Sequence, residues 1–265
     1  MQSAVFFPPF DELADPRLVA RLAADAEAAG WDGVFLWDHI TYRDPVQSLA
    51  DPWVALSAVA TATTRVRIGP MVTPLPRRRP VVVARQTATL DQLSDGRLVL
   101  GVGIGGDRSR EFSATGEQVD DRLRGAMLDE ALEVLQAAWS GELVQHSGEH
   151  YVVDGVRFLP PPVQRPGPPI WVAARYGNRA PLRRAARWDG VFPIDLDSPD
   201  QLAEVVADVR SLRGDERPFD VVVGLPPGTD PRPYGDAGAT WLAVAFPITT
   251  TANQLRGVLR DGPPR

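Results

Sequence analysis

Three segments of this sequence are equipped for chemistry, and each stands directly after a short apolar run. His39 closes the run Gly33 to Trp37 as Trp37-Asp38-His39, whereas the other two histidines, His146 and His150, fall in an irregular stretch. An imidazole at the end of a strand can donate a hydrogen bond, carry a proton or bind a metal. No metal is expected: there is no His-x-His pair, no cysteine, and no His, Asp and Glu set gathering from other run ends. The second segment is Gly101-Val102-Gly103-Ile104-Gly105-Gly106-Asp107. Its glycines would let a planar ligand or a phosphate approach the backbone, although a plain tight turn uses the same residues. The third is Ala173-Ala174-Arg175-Tyr176-Gly177-Asn178-Arg179, small residues leading into a helix that begins near Asn178. Backbone N–H groups at a helix start favour an anion, and two arginines add charge. A further run ends in Met71-Val72-Thr73-Pro74, where Pro74 biases Thr73 toward an extended shape. The Gly-x-Ser-x-Gly, P-loop and His-Glu-x-x-His patterns are absent, so hydrolase and phosphotransfer chemistry lose their usual supports.

The elements that must position these segments alternate along the chain. Strand-like runs cover Ala4 to Pro8, Gly33 to Trp37, Val66 to Val72, Arg97 to Gly103, Ile170 to Ala174, Gly190 to Ile194, Asp220 to Leu225 and Thr240 to Phe246. Helical spacing follows nearly every one: Pro16 to Ala29, Pro52 to Ala62, Pro80 to Leu93, Asp120 to Trp139, Asn178 to Ala186, Pro199 to Leu212 and Ala252 to Leu259. The helix expected between Pro226 and Gly235 meets prolines and glycines and should be shortened or missing. Continuous apolar strands separated by helices predict a parallel sheet covered on both faces. Eight such units predict a (β/α)8 TIM barrel, an α/β fold, with an open doubly wound sheet as the runner-up. From roughly 140 to 169 the alternation lapses into a short β-like pair and a run of prolines, which reads as an insertion loop over a single-domain barrel spanning 1–265.

Composition narrows the partners. The formal net charge is -6, which argues against nucleic acid, and the basic cluster Arg77-Arg78-Arg79 reads as either a solvated loop or a local phosphate contact. No apolar run approaches the roughly 20 residues of a membrane span, and the N-terminus lacks a charged region followed by an apolar stretch, so a cytoplasmic protein acting on a small molecule is expected. In a barrel of this type the chemistry sits at the C-terminal ends of the strands, where all four segments lie.

These blocks resemble the bacterial luciferase-like family of flavin- and deazaflavin-dependent oxidoreductases. The matching stretches are AEAAGWDGVFLWDH, RVRIGPMVTPLPRRRP, ATLDQLSDGRLVLGVGIGG, DEALEVLQAAW and PPIWVAARYGNRAPLRRAARWDGVFP. The resemblance implies a barrel with a cofactor over its mouth: coenzyme F420, which the Asp38-His39 pair favours, or alternatively FMN. His39 would stand beside the reactive ring as the catalytic residue, and Asp38 would help to bind the cofactor. The Met71-Val72 link, followed by Thr73, would be a non-prolyl cis peptide or bulge packed behind it. Gly103, Gly105 and Gly106 would border the ring, and Ala173, Ala174, Arg175, Tyr176, Gly177 and Asn178 would hold the phosphate. The resemblance also implies a homodimer. Two departures stand out. The deazaflavin-dependent sugar-phosphate dehydrogenases of the family carry a glutamate where this chain has Gly106 and a tryptophan near Arg43. Asp107, one residue displaced, could replace the acid in part. The expected activity is hydride transfer between reduced F420 and a small organic substrate. The alternatives are an FMN monooxygenase fed by a separate reductase, and a flavin-binding barrel without turnover. The loops Thr41 to Ala50 and Arg108 to Asp120 would select the substrate.

Overall fold

The structure is a computed structural model that describes residues 1–214 and 217–264. Eight parallel strand positions close into a barrel. They are β1 (Gln2–Phe7), β2 (Gly33–Leu36), a third position split into β3 (Arg67–Pro70) and β4 (Thr73–Pro74), β5 (Leu100–Gly103), β8 (Ile170–Arg175), β9 (Gly190–Ile194), β10 (Asp220–Leu225) and β11 (Trp241–Ala245). Each pairs with its neighbours in parallel register, β1 lying between β2 and β11. A bridge between Ile68 and Leu98, with β4 against β5, shuts the remaining seam. The barrel expected from the sequence is therefore the fold. The run predicted from Val66 to Val72 is broken at the cis peptide Met71–Val72. Gly101 lies so close to that break that a Cβ added to it would stand 2.5 Å from the Pro70 carbonyl oxygen, which is why no larger residue fits.

The strands are apolar over most of their length because both faces are covered. One face fills the barrel with Phe6, Phe35, Val99, Trp171, Phe192 and Trp241. The other, including Val5, Val34, Val172 and Leu242, packs against the helices. Phe35, Trp171 and Trp241 meet with centroids 5.2 to 6.1 Å apart and plug the end opposite the mouth. The helices are α1 (Pro16–Ala28), α2 (Pro52–Ala62), α3 (Pro80–Leu93), α4 (Asp121–Trp139), α5 (Arg179–Ala185), α6 (Pro199–Leu212), α7 (Arg232–Asp236) and α8 (Ala252–Asp261). Proline at the first turn of α1, α2, α3 and α6 and side-chain caps from Asp15, Asp51, Asp120, Ser198 and Thr251 set their starts. α7, where shortening was expected, has five residues.

The 140–169 segment holds an antiparallel hairpin, β6 (Leu143–Ser147) with β7 (Val152–Arg157). Glu130 of α4 accepts from the backbone N–H of His150 and Tyr151 and bonds to His146 Nε2, and Arg85 of α3 donates to the Leu159 carbonyl. The hairpin is thus held against α3 and α4, His146 bonding through its ring and His150 through its backbone N–H.

Arg97 is a structural residue that the sequence pattern does not reveal. Its buried guanidinium donates to the carbonyls of Ala60, Thr63, Val66 and Ser94 and to the Thr63 hydroxyl. It ties the end of α2 to the entrances of β3 and β5. Arg97→Met should therefore cost about 3–5 kcal/mol, because buried acceptors are left without donors. Urea unfolding of the variant checks this, and a loss below about 1 kcal/mol would show that water replaces the guanidinium.

Candidate active site at the barrel mouth

At the C-terminal ends of the strands the inward-facing residues become partly accessible. Trp37, Val72, Ala173, Ile194 and Ala245 are half-buried and pack on the interior cluster, forming an apolar floor. Two halves differ in bulk. Over β4, β5 and β8 the residues are Val72, Gly103, Gly105, Gly106 and Ala173; over β1 and β2 they are Phe6, Phe10, Trp37, His39 and Tyr42.

His39, on the bulky side, has 26% of its side chain exposed. Its Nδ1 lies 2.5 Å from Glu111 Oε1, in the loop after β5. The other Glu111 oxygen accepts the Ile40 N–H at 3.0 Å and faces Arg77 Nη1 at 3.3 Å. Glu111 itself is only 3% exposed. A buried carboxylate accepting from Nδ1 fixes the imidazole's orientation and leaves Nε2 as the nitrogen free to act. Sequence reasoning missed Glu111, since it follows the glycine turn by five residues and only the return of the loop toward β2 brings it to His39.

Behind this pair is a second buried carboxylate. The Asp38 side chain is fully buried, and its Oδ1 accepts from Arg77 and Arg78 at 3.2 and 2.7 Å. Its Oδ2 accepts from the Thr73 hydroxyl at 2.8 Å and from Trp53 Nε1 at 3.3 Å. Arg77 thereby bridges Asp38 and Glu111. The basic cluster is neither solvated nor a phosphate contact at these two positions: Arg77 and Arg78 are internal counter-ions.

The expected site residues fall into two groups. Asp38 and Thr73 are turned into this ionic knot, away from the mouth. Ala174 faces the outer core, and Met71, 2% exposed, lies within the barrel filling. Gly103 is buried as well; an added Cβ would meet Val72 Cγ2 at 3.1 Å and Ala173 Cβ at 3.5 Å, so its smallness serves packing rather than open space. Gly105, at φ 75°, lies against the Phe112 ring and Pro74. His39, Val72, Gly106, Ala173, Arg175, Tyr176, Gly177 and Asn178 remain accessible. A Cβ on Gly106 or on Gly177 would meet nothing within 4 Å, so both border open space. Arg175 pairs with Asp195, and the Tyr176 hydroxyl donates to Glu204 at 2.5 Å. Asp107 is not a substitute acid. It accepts the N–H of Phe112 and Ser113, bonds that hold its carboxyl below the ordinary range and keep it charged. No group of three or more possible metal ligands occurs among the described residues.

A parallel barrel with a histidine–carboxylate pair at the C-terminal ends of its strands has the layout of a barrel enzyme, whose chemistry sits at that mouth. Comparison with known proteins narrows this. The family model for luciferase-like monooxygenases matches residues 1–233, and the chain belongs to that family, an enzyme family of oxidoreductases. Among solved structures, an F420-dependent secondary alcohol dehydrogenase in complex with an F420–acetone adduct superposes with a TM-score of 0.82 at 19% identity, covering 98% of this chain and 97% of that one. The coenzyme F420 dependent tetrahydromethanopterin reductase from Methanopyrus kandleri gives 0.80 at 16% identity, covering 99% and 98%. A monooxygenase from Streptomyces bottropensis gives 0.79 at 21% identity, covering 98% and 97%. At these identities the structural likeness shows the shared fold. No helix among the described residues is long and apolar enough to cross a membrane.

Proposed function

We propose that this protein is an oxidoreductase that exchanges hydride between reduced coenzyme F420 and a small organic substrate, with His39 at the reacting centre. The observation that carries the reading is the His39–Glu111 pair at the mouth, a proton-handling group held by a buried acid. The fold's relatives include F420-dependent enzymes, and the family resemblance of the Asp38-His39 segment points the same way.

The residues present fit such a cofactor. A Cβ on Gly106 or Gly177 would meet nothing within 4 Å, which supports seating the ring over Val72, Gly106 and Ala173 and the phosphate at Gly177 beside Arg175, Tyr176 and Asn178. When bound, the deazaflavin supplies the hydride chemistry. The protein's part is to hold the ring, to aim His39 Nε2 through the Glu111 bond, and to hold or accept the proton that accompanies hydride transfer. Gly106 leaves no acid at the position the resemblance would fill with glutamate, so Glu111 acts from behind His39 instead.

The test is equilibrium fluorescence titration with F420 and, separately, FMN. F420 is expected to bind at least tenfold more tightly. Gly106→Leu, whose side chain would extend into open space, should weaken F420 by more than tenfold without loss of stability. Preferential binding of FMN would move the assignment to a flavin monooxygenase, and unchanged affinity in Gly106→Leu would take the β5 turn out of the site.

A further inference from the structure

We propose that the β1–β2 side of the mouth is a substrate subsite for a planar, uncharged aromatic molecule. This rests on the preceding reading, which places the cofactor over the small-residue half. What remains across the mouth is an aromatic shelf. Tyr42 lies 4.9 Å from His39 and 5.0 Å from Phe10, centroid to centroid, and Trp37 lies 5.9 Å from His39 and 6.3 Å from Tyr42. Phe10 is 2% exposed and backs the shelf, while Trp37 and Tyr42 are half-buried and offer surface. Ile40, 45% exposed beside His39, extends the apolar rim.

The two arginines behind His39 offer no anchor to an ionised ligand. The guanidiniums of Arg77 and Arg78 are paired with Glu111 and Asp38. A carboxylate-bearing substrate placed there would meet Glu111 behind the imidazole and no unpaired cation among these groups. Stacking on Tyr42 and Trp37 instead rewards a flat ring, since offset and edge-on aromatic contacts add to area burial. Arg43, 5.8 Å from the Tyr42 centroid, is a charge beside the shelf and is tested by the choice of probes.

The experiment is direct binding to the whole protein of three probes of similar size: 2-naphthol, 2-naphthoate and decahydro-2-naphthol, which is neutral but not planar. 2-Naphthol is expected to bind at least tenfold more tightly than either of the others. Tyr42→Ser should weaken it about fivefold, and Tyr42→Phe, which keeps the ring, should not. Tighter binding of 2-naphthoate would make Arg43 an anion anchor and overturn the proposal. Equal binding of the decahydro compound, or no effect of Tyr42→Ser, would overturn it too. Because no cofactor is needed, these outcomes are separate from the F420 titration: naphthol selectivity can fail while F420 still binds.

Discussion

His39→Asn should lower steady-state turnover of F420 by about 10²–10⁴-fold, the usual worth of a positioned proton-transfer group, while cofactor affinity and unfolding midpoint change little. Glu111→Gln should lower kcat by roughly tenfold with KM nearly unchanged, because it removes the charge that orients the imidazole without touching the reacting atoms. The double variant is the sharper result. If Glu111 acts through His39, His39→Asn/Glu111→Gln is no slower than His39→Asn alone. Additive losses would mean that Glu111 works independently, and a variant that melts early but keeps its rate per folded molecule would make His39 a structural cap.

Asp38→Ala should cost about 3–5 kcal/mol of stability in urea unfolding, because it leaves Arg77 and Arg78 buried without their acid and strands the Thr73 hydroxyl and the Trp53 indole N–H. Asp38→Asn, which keeps the shape and acceptor oxygen, should lose less. The contrary outcome is specific: normal stability with lost cofactor affinity would show that Asp38 reaches the ligand, as the family resemblance implied.

The contrast between Asp38 and His39 marks how far the sequence could be read. The barrel was legible because apolar runs and amphipathic segments alternate along the chain, and the break in the third strand position was legible through the Met71-Val72 resemblance. The mouth was legible because strand ends are fixed by the fold. What was not legible was direction. Adjacent residues at the end of β2 point opposite ways, so His39 meets the mouth while Asp38 enters the ionic knot. The two arginines of that knot come from the 75–78 turn, and the acid partner of His39 comes from the far part of the loop after β5. No local pattern encodes either return of the chain. The same limit explains Gly103: its type was right for a flat ligand, but only the packing against Val72 and Ala173 shows that the space is already filled.

The three histidines allow a direct test of the claim that His39 stands at the cofactor site. Imidazole resonances of the 15N-labelled protein should be followed as F420 is added. The account predicts that the His39 signals, assigned through His39→Asn, shift in proportion to cofactor occupancy. Those of His146 and His150, in the hairpin packed on α4, should stay in place. Cofactor binding with an unmoved His39, or with shifts confined to the hairpin histidines, would contradict it.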